Sequence, residues 1–340
     1  RHAAADGARR SSSKSEARRT VLVEHGGRRH AKGLGDLPPP AWLLRNATRL
    51  VGGEQRRAVT DDVAAYDPFD GTSCVSALMP RDQGSCGACY AFAATTMLSL
   101  NYCRAGASRG YTYATTNTFA VQGAISCGAE LSPELYPDYT YSYGCDGGNV
   151  VLMMMYLMDV GTAWSTCNPY ASGGGDATEH FSADAEVAPT CSSSCADGSA
   201  MGKFQAETFG SSSVFSYHHF AGEAEIAAGM VAHGALYCRM VVYDDFSSYG
   251  TDALYDSELV YSVGGGASYE GGHAVVCYGW GVTAAGTKYW SCINSWGAVW
   301  GMHGRSEFKI RRGDDTAQLE SRGCYAVEID AALVQPEDLP

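Results

Sequence analysis

The chain has 340 residues, 45% of them hydrophobic, with 13 cysteines and a net charge of −13. That length and composition bury a substantial core, and no apolar run approaches the ~18 residues of a membrane helix, so disordered and helical membrane-spanning classes are excluded. Thirteen cysteines are too many for a reducing cytosol; they point to an oxidising compartment, and the odd count leaves at least one thiol outside any pair.

Charge is unevenly spread. Residues 1–60 hold 13 Lys+Arg against 5 Asp+Glu, or +8, and the remainder hold 11 against 32, or −21, which sum to −13. A basic leader ahead of an acidic body raises nucleic-acid binding, but the leader lacks interleaved aromatics and reads instead as a solvated segment or one drawn to its own acidic body; no nucleic-acid partner is expected. Residues 1–36 are rich in Ser, Arg and Gly without periodicity, which predicts a flexible N-terminal extension. "LPPPAWLLRN" at 37–46 is a stiff, Pro-rich entry with an aromatic anchor. Asn46-Ala47-Thr48 is an N-glycosylation acceptor sequence. Residues 47–73 read as polar and connecting.

The next segment, "QGSCGACYAF" at 83–92, sets two cysteines three apart, Cys86 and Cys89, among small residues. The residues alone leave three readings open: a disulfide beside a reactive thiol, half of a metal site, or two inert buried cysteines. A zinc site needs a second pair at similar spacing, and Cys191 with Cys195 is the one loose candidate. From Cys89 to Cys103 the spacing predicts a helix, with Phe92, Thr96, Ser99 and Cys103 on one stripe and Ala93, Met97 and Leu100 on its neighbour. Cys89 then stands at a helix N-terminus, where the positive end of the dipole favours a thiolate. The apolar run Val150 to Met158 reads as a buried helix. Downstream, "ALYCRMVVYDDF", "GGHAVVCYGWGV", "KYWSCINSWG" and "SEFKIRRG" are β-branched and aromatic runs bounded by Gly and read as strands. A helical, disulfide-rich half therefore precedes a strand-rich half, with no internal repeat.

A cysteine nucleophile needs a base, and the base needs an orienting group. His273 lies beside two glycines that leave room for a substrate, and Asn294 can hold an imidazole through its side-chain carbonyl while Trp296 covers that bond. Gln83 and the backbone N–H of Cys89 can donate to a developing oxyanion. The other histidines considered, His218, His219, His233 and His303, read as structural.

The motifs "DQGSCGACYAF", "YGCDGG", "GGHAV" and "NSWG..WG..G", in that order, resemble those of the papain-like cysteine proteases. Cys86-Gly87-Ala88-Cys89-Tyr90 fits that family's C-G-[SA]-C-[WY] signature, while His273 and Asn294 lie farther downstream than is usual and imply insertions. The resemblance covers about 37–335. It implies an α+β fold of two lobes, a helical one over roughly 75–205 and a β-barrel-like one over roughly 206–335, with the active-site cleft between them and a tail at 336–340. It implies Cys89 as nucleophile, His273 as base, Asn294 as its orienter, Gln83 in the oxyanion hole and Trp296 as a shield. Gly147 and Gly148 would line the cleft beside Val150 and Ala274, with the Gly148 backbone pairing to the substrate main chain. No cofactor and no metal are implied.

The cysteine layout is most similar to the cathepsin B branch and implies the disulfides Cys74–Cys103, Cys86–Cys145, Cys127–Cys191 and Cys167–Cys195. Cys89 is then left over, with Cys238, Cys277, Cys292 and Cys324, which read as buried and inert; a Cys277–Cys292 bridge is an alternative. Tyr90, "VYDDF" and "IRRG" are similar to dipeptidyl peptidase I, but no exclusion domain is recognisable. In the stretch corresponding to the occluding loop, 168–190, His180 would pair with Asp82 and Phe181 would replace a second histidine, so endopeptidase activity should exceed carboxydipeptidase activity. Arg322 and Arg239 would face the S2 pocket and favour an acidic P2 side chain, unless each points to solvent or pairs with a carboxylate of the chain.

The expected function is a cysteine-type endopeptidase acting on peptide or protein substrates, with residues 1–36 as a pro-segment and the mature chain starting near Leu37. Its own pro-segment or a cystatin-like inhibitor are further expected partners. It would act in a lysosome or vacuole or be secreted. The alternative is a catalytically silent papain-fold protein serving as a binding or structural subunit.

Overall fold

The computed structural model describes residues 36–37, 49–50, 63–78, 80–111, 118–133, 138–173, 189–203, 217–327 and 329. The expectations for the leader up to residue 35, the Asn46 sequence, His180, Phe181 and the 336–340 tail lie outside the described residues.

After a two-residue strand at Arg49–Leu50, four helices follow: α1 (Cys74–Ala77), α2 (Cys89–Ser108), α3 (Gln122–Glu130) and α4 (Val150–Asp159). The sheet strands are β1 (Arg49–Leu50), β2 (Tyr217–Phe220), β3 (Leu236–Tyr243), β4 (Tyr269–Val282), β5 (Lys288–Ile293), β6 (Glu307–Arg311) and β7 (Cys324–Ala326). They form one sheet in the order β1-β2-β7-β3-β4-β5-β6. The β1–β2 pair is parallel and the remaining pairs are antiparallel. Helices α5 (Glu223–His233), α6 (Asp245–Ala253) and α7 (Leu319–Arg322) accompany the strands.

Two cores result. One gathers α2, α3 and α4 with Tyr237, Ala274, Val276 and Ile293 from the sheet. The other gathers Val275, Cys277, Trp290, Trp296, Phe308 and the apolar faces of α5 and α6. Strand β4 supplies both because successive side chains point to opposite faces: Ala274 and Val276 toward α2, Val275 and Cys277 away from it.

Helix α2 is buried almost all round from Cys89 to Cys103, so its inner polar groups need partners. Thr95 Oγ1 donates to Ala91 O and Ser99 Oγ to Thr95 O, at 2.9 and 2.6 Å. Asn101 reaches across to the sheet: its Nδ2 donates to Ala235 O at 2.9 Å and its Oδ1 accepts from Ala235 N at 2.7 Å. That bracket ties the middle of α2 to the residue before β3. Helix α4 begins where Asn149 caps it, Oδ1 accepting from Val151 N and Leu152 N.

Twelve cysteines form six disulfides. Four are those the cysteine layout implied: Cys74–Cys103, Cys86–Cys145, Cys127–Cys191 and Cys167–Cys195. The expectation that Cys238, Cys277, Cys292 and Cys324 stay inert is corrected, for they form Cys238–Cys324 and Cys277–Cys292, the second being the alternative raised for that pair. Each pair lies in register across neighbouring strands, Cys238 opposite Cys324 and Cys277 opposite Cys292. Strand pairing brings their Cβ atoms within bridging reach, which spacing along the chain does not reveal.

Other expectations need adjustment. Helix α2 runs on to Ser108. Asp245 and Phe246, read as the end of a strand, open α6 instead. The region read as connecting contains an anchor: Tyr66 pairs with Trp280 by backbone hydrogen bonds and stacks on its ring at 4.6 Å.

Asn101→Ala would leave both polar groups of buried Ala235 without that partner, and is expected to lower the free energy of unfolding by about 1–3 kcal/mol. Chemical denaturation measures it; an unchanged midpoint would show that the bracket adds nothing.

Candidate active site

Cys89 is the first residue of α2 and fully buried, and it is the one cysteine outside a disulfide. Its position is set from both sides. Cys86 is bonded to Cys145, and Gly87 N donates to Cys145 O at 2.9 Å. Ala88 O then accepts from Ala91 N and Phe92 N, at 2.9 and 3.1 Å, and starts the helix. The leading N–H groups of a helix have no partner within it and carry its positive end, so this is a site that favours negative charge on sulfur and on an oxygen bound beside it. The metal alternative for the cysteine pair is not taken up: Cys86 is in a disulfide, and among the described residues no cluster of His, Cys, Asp and Glu could hold a metal.

His273 sits in β4 opposite Met240 of β3, and α2 packs on β4. Its Nε2 lies 2.7 Å from Asn294 Oδ1, with both residues buried. Ser295 N donates to that same oxygen at 2.8 Å, so the atom facing the ring is an acceptor. Nε2 must therefore carry a proton, and in the neutral ring the lone pair is on Nδ1. The Trp296 ring centroid lies 5.2 Å from that of His273, and Trp296 is packed in turn on Phe246 and Trp300. Water is kept from the His–Asn bond by this aromatic wall.

Gln83 is fully buried. Its Nε2 donates to Cys86 O at 2.9 Å, its Oε1 accepts from Ser295 Oγ at 2.6 Å, and its own N donates to Ser295 O at 2.9 Å. Tyr170 Oη donates to Gln83 O at 2.7 Å. The amide of Gln83 is thus held in one orientation between the segment before α2 and the one after β5. Ser295 joins Gln83 and Asn294 in one network, a role its sequence position beside Asn294 did not suggest. Arg81 is a second omission: its guanidinium donates to Thr95 Oγ1, Thr96 Oγ1 and Phe119 O at 3.0, 2.9 and 2.9 Å. Burial lowers its pKa to about 9.

Gly147 has φ of 107°, a conformation that suits glycine, and its O accepts from Tyr143 N. Gly148 lies against Tyr90: a Cβ there would sit 2.5 Å from the ring. Tyr90 Oη donates to Gly144 O at 2.9 Å, so this ring and hydroxyl together brace the 144–148 wall. Val150 begins α4 with its side chain buried, and Ala274 is buried opposite Arg239. Arg239 does not face solvent; its Nε lies 2.9 Å from Asp36 Oδ2. Arg322 is bonded through Nε to Gln318 Oε1 at 3.1 Å. Asp36 and its hydroxyl partner Tyr237 were absent from the sequence expectations, because neither belongs to a motif.

The profile described as papain family cysteine protease matches residues 67–327. The chain belongs to that family, and it is a cysteine peptidase. A cathepsin B-like protein of Giardia intestinalis, CP1, is 31% identical over 249 residues, 73% of this chain and 68% of that one. Cathepsin B-like cysteine proteinase 4 of Caenorhabditis elegans is 30% identical over 262 residues, covering 73% and 70%. In fold, the chain is similar to the procathepsin B S9 of Trypanosoma congolense, with a TM-score of 0.65 at 20% identity over 88% of this chain and 87% of that one. The two-lobed α+β architecture and the cathepsin B-like disulfides accord with these likenesses. Among the described residues, no helix is long and apolar enough to cross a membrane.

Gly148→Ala would press a methyl group into the Tyr90 ring, and is expected to cost about 1–3 kcal/mol of stability. Thermal unfolding of the variant checks it; in a Tyr90→Ala background the same substitution should cost less.

Proposed function

We propose that Cys89 and His273 are the nucleophile and the base of a cysteine endopeptidase, with Asn294 and Gln83 completing the site. The observation that carries this reading is the buried 2.7 Å contact of His273 Nε2 with Asn294 Oδ1, since it supports Nδ1 as the nitrogen that does the acid–base work. His273 Nδ1 takes the thiol proton, and the Cys89 sulfur attacks the peptide carbonyl carbon. The oxyanion receives the backbone N–H of Cys89 and the second N–H of the Gln83 amide, the first being given to Cys86 O. The imidazolium protonates the departing amine. A water deprotonated by His273 then hydrolyses the thioester and restores the thiol. Trp296 keeps this exchange dry, and Gly148 offers its backbone to the substrate main chain.

In the S2 pocket, Arg239 with Arg322 favours an acidic side chain at P2. Support comes from the carboxylate that Arg239 already holds, that of Asp36. Endopeptidase activity exceeds dipeptide removal, because the 168–190 stretch has one histidine. Residues 1–36 act as the pro-segment, and six disulfides suit a lysosomal, vacuolar or secreted enzyme.

Three measurements test this. Iodoacetamide at pH 6, applied after the leader has been removed by limited proteolysis, should label Cys89 stoichiometrically, and His273→Ala should abolish the labelling. Labelling that ignores His273 would instead support a silent binding subunit. Gln83→Ala should lower kcat by about 10²–10³-fold with little change in KM. Peptides with Glu at P2 should be cleaved about tenfold or more faster, in kcat/KM, than those with Arg there. Equal rates would remove the P2 assignment while leaving the catalytic one intact.

A further inference from the structure

The cleft beside His273 already holds a piece of the chain. Asp36 N donates to Gly272 O at 3.3 Å and Leu37 N donates to Gly148 O at 2.8 Å. Asn149 Nδ2 donates to Leu37 O at 3.1 Å. The two glycines before His273 leave room for backbone to lie flat, and a Cβ on Gly272 would collide with the Asp36 carbonyl oxygen. The space that a substrate needs is thus the space that residues 36–37 fill.

The side chain is engaged as closely as the backbone. The Asp36 side chain has no exposed surface, and that of Arg239 keeps 7%. Arg239 Nε approaches both carboxylate oxygens, at 3.1 and 2.9 Å, and Tyr237 Oη donates to Oδ1 at 3.4 Å. Burial pushes the Asp36 carboxyl up, while Arg239 and, farther off, Arg322 pull it down. A carboxylate stripped of water needs such a partner, and an arginine in a dry pocket needs such an anion.

We propose that Asp36 is an in-chain ligand of the Arg239–Tyr237 pocket, so that the arginine that reads an acidic substrate side chain also keeps the uncut chain latent. The inference rests on the catalytic reading above and deepens it. One guanidinium cannot hold Asp36 and a substrate carboxylate together. The latent state therefore ends only when Asp36 leaves, by cleavage or by competition from an acidic peptide. A latch built on a neutral side chain would not tie latency to selectivity in this way.

The test uses the full chain, checked by mass to be uncut, and reads the initial rate of Cys89 alkylation by a peptidyl epoxide with a neutral P2 residue. Asp36→Asn should label at least about tenfold faster than the unmodified chain, and Asp36→Glu should stay slow. Arg239→Met should also label faster, and once the leader is removed it should lose the Glu-over-Leu preference at P2. Equal labelling of Asp36→Asn and the unmodified chain, with equal melting temperatures, would overturn the proposal. So would loss of a cooperative melt in both Asp36→Asn and Arg239→Met, since the pair would then be a requirement of the fold. Removing the leader separates the two readings. If labelling becomes fast in that sample yet Asp36→Asn has no effect, the latch alone fails. If Cys89 stays unreactive even then, the catalytic reading fails and takes the latch with it.

Discussion

The packing of α2 on β4 is the constraint on which the rest of this molecule depends. Peptide cleavage by a thiol needs sulfur and imidazole in a fixed relation, and here they arrive from opposite sides of that seam. The helix carries Cys89 at its first residue, and the strand carries His273 among residues that alternate between two cores. Close-packed interiors do not slide, because every shift opens voids or forces overlaps. The seam is further bound by polar contacts that tolerate little movement. Asn101 grips Ala235, and Gln83 is shared by Cys86 and Ser295. The relation of Cys89 to His273 is thus held by polar contacts as well as by packing.

Several buried polar groups of the site follow one pattern. Asn294 gives a single oxygen to both His273 and Ser295. Gln83 divides its amide between two neighbours. Arg239 is matched by Asp36, and Arg81 by two threonine hydroxyls and a carbonyl. An unpaired group in such surroundings costs more than its pairing contributes, so each network selects one arrangement and penalises the others. Charge pairing in the pocket beside Gly272 differs in one respect: its acidic member, Asp36, lies in a segment that precedes the helical lobe and belongs to none of its helices or strands. A partner on such a segment can be exchanged without dismantling the core, whereas Asn294 directly follows β5 and Gln83 leads into α2.

The extent to which the chain's residues announce this arrangement varies with the range of the interaction. Cys89, its helix and the glycine-flanked His273 are legible because local spacing and small residues report local geometry. Four disulfides were implied by the likeness of the cysteine layout to one branch of a family, and the structure contains them. Cys238–Cys324 was not legible: its two cysteines meet only because β7 inserts between β2 and β3. The turn of Asp245 and Phe246 into α6 was hidden for a similar reason. An apolar and aromatic run suits a strand or a buried helix end, and contact with Trp296 and Trp300 decides between them.

By itself, the sequence determined the reaction class: a cysteine at a helix start, a histidine between glycines and strand, and an asparagine and tryptophan behind it. Those signals are short-range, and chemistry of this kind tolerates few other residues at the same places. Tertiary structure alone decided which nitrogen of His273 bears the proton, which hydroxyl fixes Gln83, and what stands opposite Arg239. Each of these depends on which atoms a folded chain brings within about 3 Å of one another, and separation along the sequence carries no record of that.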